Sequence, residues 1–311
     1  LTFLFLLIFI SVFIFFVYHK SNNNSLNSFS LLSKETSILI NNWFMMYFLS
    51  VVLIGTVYPI FLDVMASQKI SVGPPFYHKL IVPFLIPFLI FMAIGPQLKW
   101  IKSNIENKLN MLILLLISLL LSFLIIKNLD TKFLINTVLV GSAFYLFFVT
   151  IRDFLSRKFI NLQQNIAHFG FSLLILSILF NNFFSYGIIT NLKVGERFKN
   201  DNVEIIFNHL KQTKEKNYTS FKGNFYIKDK NTKYELEPEL RVYNQPNIVT
   251  SEADIKTSFL SDIFITMNTV QNEEYFNIRY QVKPFILWIW ISVILITLGG
   301  LISLYKKQYE K

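Results

Sequence analysis

Seven stretches of this chain are too apolar and too long to lie in water. They cover residues 1–17, 37–65, 80–98, 109–126, 133–151, 165–182 and 284–305. A run of about 18 to 20 apolar residues is the length at which a helix crosses the hydrocarbon of a bilayer, and a helix satisfies its own backbone there. Composition agrees: 53% of the residues are hydrophobic, 34 are Phe, and the mean hydropathy is +0.47. An ordinary soluble globule is excluded.

Residues 185–283 break the pattern. They form about a hundred polar residues with short, partly alternating runs such as Val203-Glu-Ile-Ile-Phe207, Phe221-Lys-Gly-Asn-Phe-Tyr-Ile227, Lys233–238, Ile263-Phe-Ile-Thr-Met267 and residues 275–280. Alternation and β-forming residues between Asn- and Lys-Asp-Lys turns read as strands of a small sandwich or barrel. The expected fold is a polytopic α-helical membrane protein of about seven transmembrane helices, with a β-rich soluble domain inserted before the last. Its parts are residues 1–184 (helices one to six), 185–283 (β-rich domain) and 284–311 (last helix and tail).

Charge gives the orientation. Lys20, Lys34, Lys99, Lys102, Lys108, Arg152, Arg157, Lys158, Lys306, Lys307 and Lys311 fall in alternate loops and the C-terminal tail. The intervening loops carry only Lys69, Lys79, Lys127 and Lys132. The positive-inside rule puts the first set in the matrix or cytoplasm, and the N-terminus and the β-rich domain outside. The same reasoning assigns the net charge of +10 to membrane topology and not to nucleic acid. The bias toward Phe, Ile, Leu, Asn and Lys suggests AT-rich coding, as in an organellar genome. The first residue is Leu, which suggests an unusual start or a processed or split chain. There is no cysteine, so neither disulfide nor thiolate chemistry belongs to this chain.

One ionisable group lies well inside a span. Ionisable residues are costly in hydrocarbon and mark function by default. His168 sits in Asn165-Ile-Ala-His168-Phe-Gly170-Phe-Ser172, with Gln164, Asn165 and Ser172 three or four residues away on the same helical face. Ala167 and Gly170 are small enough to admit a close neighbour. A neutral imidazole there can ligate a metal or haem; it can equally pack against another helix through a hydrogen bond. The connector Gly73-Pro74-Pro75-Phe76-Tyr77 reads either as a rigid turn or as a wall for a large flat ligand. His78 stands next to it, His19 is juxtamembrane, and His209 reads as a surface residue of the β-rich domain. Trp288 and Trp290 suit the membrane interface. Phosphate loops, HExxH and Ser-His-Asp cues are absent from the sequence. The near absence of acidic residues from the spans argues against an ion-coupled transporter.

Taken in order, several segments resemble the cytochrome c haem lyase subunit CcmF. Ser33-Lys34-Glu35 with Asn41-Asn42, Leu53-Ile-Gly55-Thr56 with Tyr58-Pro59, and Lys69-Ile-Ser-Val-Gly73-Pro74-Pro75-Phe76-Tyr77 resemble family segments, as do Gly95-Pro96 and Ala167-His168-x-Gly170. In the polar region, Glu237-Pro-Glu-x-Arg241-x-Tyr243, Thr250-x-Glu252-Ala253-x-Ile255 and Ser261-Asp262-Ile263 are similar, then Lys283-Pro284-Phe285-x-x-Trp288-Ile-Trp290 with Leu298-Gly299-Gly300.

The resemblance implies a haem lyase subunit of cytochrome c-type biogenesis, attaching haem to apocytochrome c through thioether bonds. It implies a membrane haem b with His168 as an axial ligand, and so iron held through His168, together with a substrate haem. Residues 73–77 become a candidate haem-site wall. The family's WWD segment and second haem b ligand do not occur in this sequence. The resemblance therefore suggests the C-terminal part of a split, mitochondrially encoded CcmF, working with an N-terminal fragment and with CcmH-like and CcmE-like proteins. The location implied is the mitochondrial inner membrane, multi-pass, with the C-terminus in the matrix. A non-redox scaffold or assembly subunit of a respiratory complex, or a transporter, is the alternative.

Overall fold

The structure is a computed structural model, and it describes residues 2–18, 30–66, 69–102, 108–129, 133–156, 162–201, 203–229, 232–270 and 274–309. His19 and several of the loop cations used for orientation, Lys20, Lys132, Arg157, Lys158 and Lys311, lie outside the described residues. In chain order the helices are α1 Thr2–Tyr18, α2 Lys34–Ala66, α3 Pro74–Ile94 with a 3₁₀ turn at Gly95–Gln97, α4 Lys108–Ile126, α5 Phe133–Leu155 and α6 Leu162–Phe184. Ten strands follow: β1 Tyr186–Leu192, β2 Arg197–Lys199, β3 Val203–Lys214, β4 Tyr218–Asp229, β5 Thr232–Leu236, β6 Glu239–Tyr243, β7 Val249–Glu252, β8 Asp254–Thr257, β9 Ser261–Thr269 and β10 Phe276–Pro284. The chain returns as α7, Ile286–Tyr309. Among the described residues six helices, α2 to α7, are long and apolar enough to cross a membrane, and α1 is a shorter apolar helix.

The third span starts earlier than expected. Pro74 and Pro75 form the first turn of α3, after Gly73 in extended backbone (φ −96°, ψ 178°). Proline suits that turn because its missing N–H would be unpaired there anyway. Residues 74–77 are therefore helix and not a connector, and Tyr77 packs back on α2. A Cβ at Gly55 would lie 2.6 Å from the Tyr77 hydroxyl oxygen, so the two helices touch where α2 has no side chain. Further along, Pro83 disturbs α3, and the Tyr47 hydroxyl of α2 donates to the Leu80 carbonyl at 3.0 Å. Neighbouring helices commonly satisfy backbone near a proline in this way.

α5 is the central helix: 61% of its most apolar window is buried, against 11% for α2 and α7. Its small residues Gly141, Ser142 and Ala143 permit this. A Cβ at Gly141 would meet Leu119 of α4 at 2.7 Å, and the Ser122 hydroxyl of α4 donates to the Thr137 carbonyl of α5 at 2.6 Å. The apolar core of the bundle joins Phe44 of α2, Phe88 and Leu89 of α3, Val140, Ala143, Leu146 and Val149 of α5 and Leu176 of α6.

The closest helix pair is α6 and α7. A Cβ on Gly299 would sit 2.8 Å from both the Ala167 amide nitrogen and the Gln163 carbonyl oxygen. A Cβ on Gly170 would sit 3.0 Å from the Ile296 amide nitrogen. Backbone meets backbone at both points, as small residues allow between membrane helices.

The pair continues directly into the soluble domain. Only Ser185 separates α6 from β1, and only Phe285 separates β10 from α7. β1 and β10 pair antiparallel, with Tyr186 opposite Val282. The Asn181 side chain of α6 donates to the Pro284 carbonyl at 2.6 Å, and the Phe180 and Phe285 rings lie 5.5 Å apart. Two antiparallel helices thus become two antiparallel strands.

The domain is a β-sandwich. One sheet has the order β1-β10-β9-β8; the other has β2-β3-β4-β6-β7, with β5 also paired to β4. Alternate residues point inward: Val203, Ile205 and Phe207 on β3, Ile263, Ile265 and Met267 on β9, and Ile278, Tyr280 and Val282 on β10. His209 follows a register shift after Phe207 and is exposed. The strands beyond those legible in the alternation are β1, β2 and β6 to β8. β6 was hidden because Glu239 and Arg241 interrupt the apolar pattern; the structure pairs them with each other at 3.0 Å, the Arg241 guanidinium lies 5.2 Å over the Tyr218 ring, and this bond to Arg241 holds the Glu239 carboxyl below its ordinary pKa.

A buried polar bridge joins the sheets. Asp229, at the end of β4, accepts from Tyr280 of β10 at 2.8 Å and from Tyr186 of β1. Burial first, and then the shared carboxylate, raise both phenol pKa values above the ordinary value near 10.

Two tests follow from this packing. Gly299→Ala drives a methyl into backbone and should cost about 1–3 kcal/mol, the usual size of overpacking. Nothing lies within 4 Å of a Cβ at Gly300, so Gly300→Ala should leave the apparent Tm in detergent unchanged or slightly raised while Gly299→Ala lowers it. For the tyrosine pair, the folded phenols stay protonated where unfolded ones ionise. Their contribution to stability is complete below about pH 10 and falls as pH rises further. The strand circular-dichroism signal of the wild-type chain should be lost on alkaline titration, and Tyr186→Phe,Tyr280→Phe should make that loss shallower.

Candidate functional site

α6 carries His168 in its second turn, and its packing decides which way that face looks. Gln163, Ala167 and Gly170 are occupied by α7. The neighbouring face, about a quarter turn round the helix, carries Gln164, His168 and Phe171 and borders a cleft of about 350 Å³ between α6, the start of α2 and the end of α3. That volume falls within the range of small-molecule and cofactor sites.

Lys34, Ser37, Asn41, Gln164 and His168 supply the polar lining, and Met45, Phe88, Phe91, Met92 and Phe171 the apolar walls. Phe88 is buried and meets the Phe171 ring edge-on at 6.0 Å, tying α3 to α6 one turn above His168. Of the other polar neighbours expected beside His168, Ser172 is buried and donates to the Phe169 carbonyl of its own helix at 2.9 Å.

The cleft ends on a floor built from two loops. Ser33 accepts from the Thr36 amide at 3.3 Å and starts α2. The Lys34 amide donates to the Lys99 carbonyl at 3.0 Å, and the Ser30 amide to the Ile101 carbonyl at 2.9 Å. The Lys34 ammonium lies 5.1 Å from the centre of the Trp100 ring. Ile101 has φ 65°, unusual for a β-branched residue. The Glu35 carboxylate holds it there, both oxygens accepting from the Ile101 amide at 3.0 Å. Gly95 and Pro96 complete the floor, where the Ser37 hydroxyl occupies the space that a Cβ on Gly95 would take. Next to Pro96, the Gln97 side-chain nitrogen is buried without a hydrogen-bond partner.

Three separated segments therefore converge: Ser33-Lys34-Glu35 with Asn41, Gly95-Pro96, and Gln164 with His168. The sequence singles out His168; Lys34 and Asn41 enter it only through loop charge and the resembling segments, and Phe88 and Met92 not at all. The signal available was positional, since Lys34, Pro96 and Gln164 all stand at span ends on one side. Gly73, Pro74, Pro75, Phe76 and Tyr77 are not brought to His168. They occupy the other end of α3, about 22 Å from Phe91 at 1.5 Å per residue. Among the described residues no group of three or more His, Cys, Asp or Glu could hold a bare metal ion.

The donor set fits a haem-type group better than a bare ion. It offers one imidazole, aromatic and thioether walls for a flat macrocycle, and a lysine with amides at one rim for carboxylates.

The architecture and the site define a class: a polytopic membrane protein with a β-sandwich inserted before its last helix and a histidine-bearing cleft at the far end of the bundle. Residues 184–284 match the family model described as the CcmF C-terminal beta-sandwich. The chain is 26% identical over 300 residues to the cytochrome c-type biogenesis protein CcmF of Pseudomonas aeruginosa, covering 91% of this chain and 45% of the relative. It is 26% identical over 303 residues to CcmF of Escherichia coli, covering 94% and 46%. A solved structure described as cytochrome c heme lyase CcmF shares the fold, with a TM-score of 0.67 at 22% identity over 88% of this chain and 46% of that one. In sequence and fold the chain is similar to CcmF proteins, with the CcmF C-terminal beta-sandwich over residues 184–284, and it spans about half the length of the relatives it matches.

The floor gives a further test. Glu35→Ala removes the acceptor that keeps Ile101 in its left-handed backbone. Amide hydrogen exchange at residues 99–101 should quicken, while exchange in the β-sandwich stays unchanged.

Proposed function

We propose that this chain is the C-terminal subunit of a cytochrome c haem lyase, and that His168 is an axial ligand of a membrane haem b. The observation that carries the reading is the convergence of His168, Lys34, Asn41 and Gln164 with aromatic walls around one cleft. His168 would hold the iron, Phe88, Phe91 and Phe171 would line the macrocycle, and Lys34, Asn41 and Gln164 would hold its carboxylates. When bound, such a haem supplies one-electron chemistry, and a second histidine would close its remaining coordination position.

The chain's own residues then have defined tasks. The glycine contacts of α6 with α7 fix the helix so that the imidazole faces the cleft. The apolar walls exclude water, and the Glu35-held floor keeps Lys34 at the rim. The second ligand and the WWD segment that receives substrate haem come from an N-terminal CcmF portion on a separate chain. Haem reaches it from a CcmE-like carrier, and a CcmH-like partner presents reduced apocytochrome c. The one-electron chemistry such a haem would supply suits keeping substrate haem reduced during thioether formation, given an electron donor on the matrix side. Residues 73–77 belong to the opposite end of the bundle, and as a haem-site wall they would serve the substrate haem. The setting is the mitochondrial inner membrane, with the β-sandwich in the intermembrane space and the C-terminus in the matrix.

Co-expression with the N-terminal portion should give a b-type reduced-minus-oxidised spectrum. His168→Ala should abolish it, while Phe88 and Lys34 variants retain it with a shifted or weakened signal. An unchanged spectrum in His168→Ala refutes the ligand assignment.

A further inference from the structure

The turn between β8 and β9 has the wrong residues for a turn in water. Residues 258–261 close it tightly: the Ser258 amide donates to the Ser261 carbonyl at 3.0 Å, the Ser258 hydroxyl to the same carbonyl at 2.6 Å, and the Ser261 amide to the Ser258 hydroxyl at 3.2 Å. Its two central residues are Phe259 and Leu260. Such positions usually hold Gly, Asn, Asp, Ser or Pro. Here they hold two large apolar side chains that are 63% and 58% exposed and take no part in the sandwich core. By contrast, the turn between β3 and β4 is Glu215-Lys216-Asn217, polar and exposed.

The position of the tip is fixed against a membrane span. The Trp288 indole N–H donates to the Phe259 carbonyl at 3.0 Å, and the two rings meet edge-on at 5.0 Å. The Phe285 amide donates to the Leu260 carbonyl at 2.8 Å. Phe285 itself turns strand into helix with φ 62°. Ser261 stands opposite Pro284 in the sheet. The tip is thus level with the first turn of α7, which is apolar enough to span from Ile286 onward. Trp288 and the 65%-exposed Trp290 mark the depth at which tryptophan prefers the membrane–water boundary.

We propose that the β8–β9 tip is a membrane anchor: Phe259 and Leu260 enter the acyl–headgroup boundary of the bilayer beside α7, and the partner of this surface is phospholipid. The Phe259 ring rests on Trp288 at the start of α7, so the exposed apolar side chains of the tip adjoin the exposed apolar residues of that span, and this contact selects lipid as the occupant. Other exposed apolar residues of the sandwich, such as Ile189 and Ile248, have no such tie to a span and are ordinary for a protein surface. Anchoring through the tip gives the sandwich a second point of attachment beyond the β1–β10 leg, and so holds it at one tilt over the membrane.

The absence of cysteine from the chain makes a direct test simple. Leu260→Cys, Ile294→Cys and Lys216→Cys variants of the full chain are spin-labelled and placed in phosphatidylcholine nanodiscs. Their collision rates with oxygen and with a water-soluble nickel chelate are measured. Ile294 is an exposed residue of α7 and reports lipid; Lys216 reports water. The label at 260 should collide more with oxygen than with nickel, as at 294 and opposite to 216. Nickel collisions matching those at 216 would show a tip in water and overturn the proposal. Suppression of both collision rates would show a tip covered by protein, and would overturn it equally.

Discussion

The backbone contact between α6 and α7 sets the rest of the molecule. At Gly299 the α7 backbone reaches the Ala167 amide and the Gln163 carbonyl with no room for a methyl, and Gly170 admits Ile296 in the same way. In hydrocarbon there is little hydrophobic gain from bringing helices together, so such intimate packing is what associates them. It has two consequences. It consumes one face of α6 and leaves His168 on the face that looks at α2 and α3. It also delivers the ends of α6 and α7 side by side, so the inserted strands β1 and β10 emerge already paired. A hundred-residue insertion between two helices is cheap when its entrance and exit are held together before it folds, because the loop closure is already made.

Polar groups inside the bundle follow the same economy of environment. The buried serines Ser118, Ser142, Ser172 and Ser177 each return their hydroxyl to a carbonyl of their own helix. Ser122 crosses to α5. Against that background the concentration of Lys34, Asn41, Gln164 and His168 around one opening is a departure. Packing alone does not call for four such groups together, and an unliganded cavity of this chemistry would have to hold water.

The number of helices and the insertion of a β-rich domain were legible because hydrocarbon thickness and strand alternation write themselves into run length and period. The legible strands, β3, β4, β5, β9 and β10, hold most of the sandwich core. β6 escaped because its inward and outward residues include the Glu239–Arg241 pair, whose charges are satisfied within the sheet and not by solvent. His168 was legible as a costly residue; its cleft was not. A cavity depends on which faces of three helices meet, and that follows from contacts between residues far apart in sequence, Gly299 on Gln163 and Ala167 and Ser37 on Gly95. The start of α3 was misjudged because Gly-Pro-Pro reads locally as a turn, whereas Pro at the first helical positions is equally compatible with a helix beginning there.

The two ends of the bundle carry different work. His168 lies 16 residues before Phe184, the end of α6, which is about 24 Å along the helix axis. Nothing bound at His168 can touch a molecule resting on the β-sandwich or on residues 73–77 at that end. If the cleft serves chemistry on the sandwich side, the link must cross the bundle as electrons and not as atoms. Between the two ends the bundle is packed with apolar side chains, among them the Phe88–Phe171 contact and the buried wall of α5, and its buried serines are bonded to helix carbonyls.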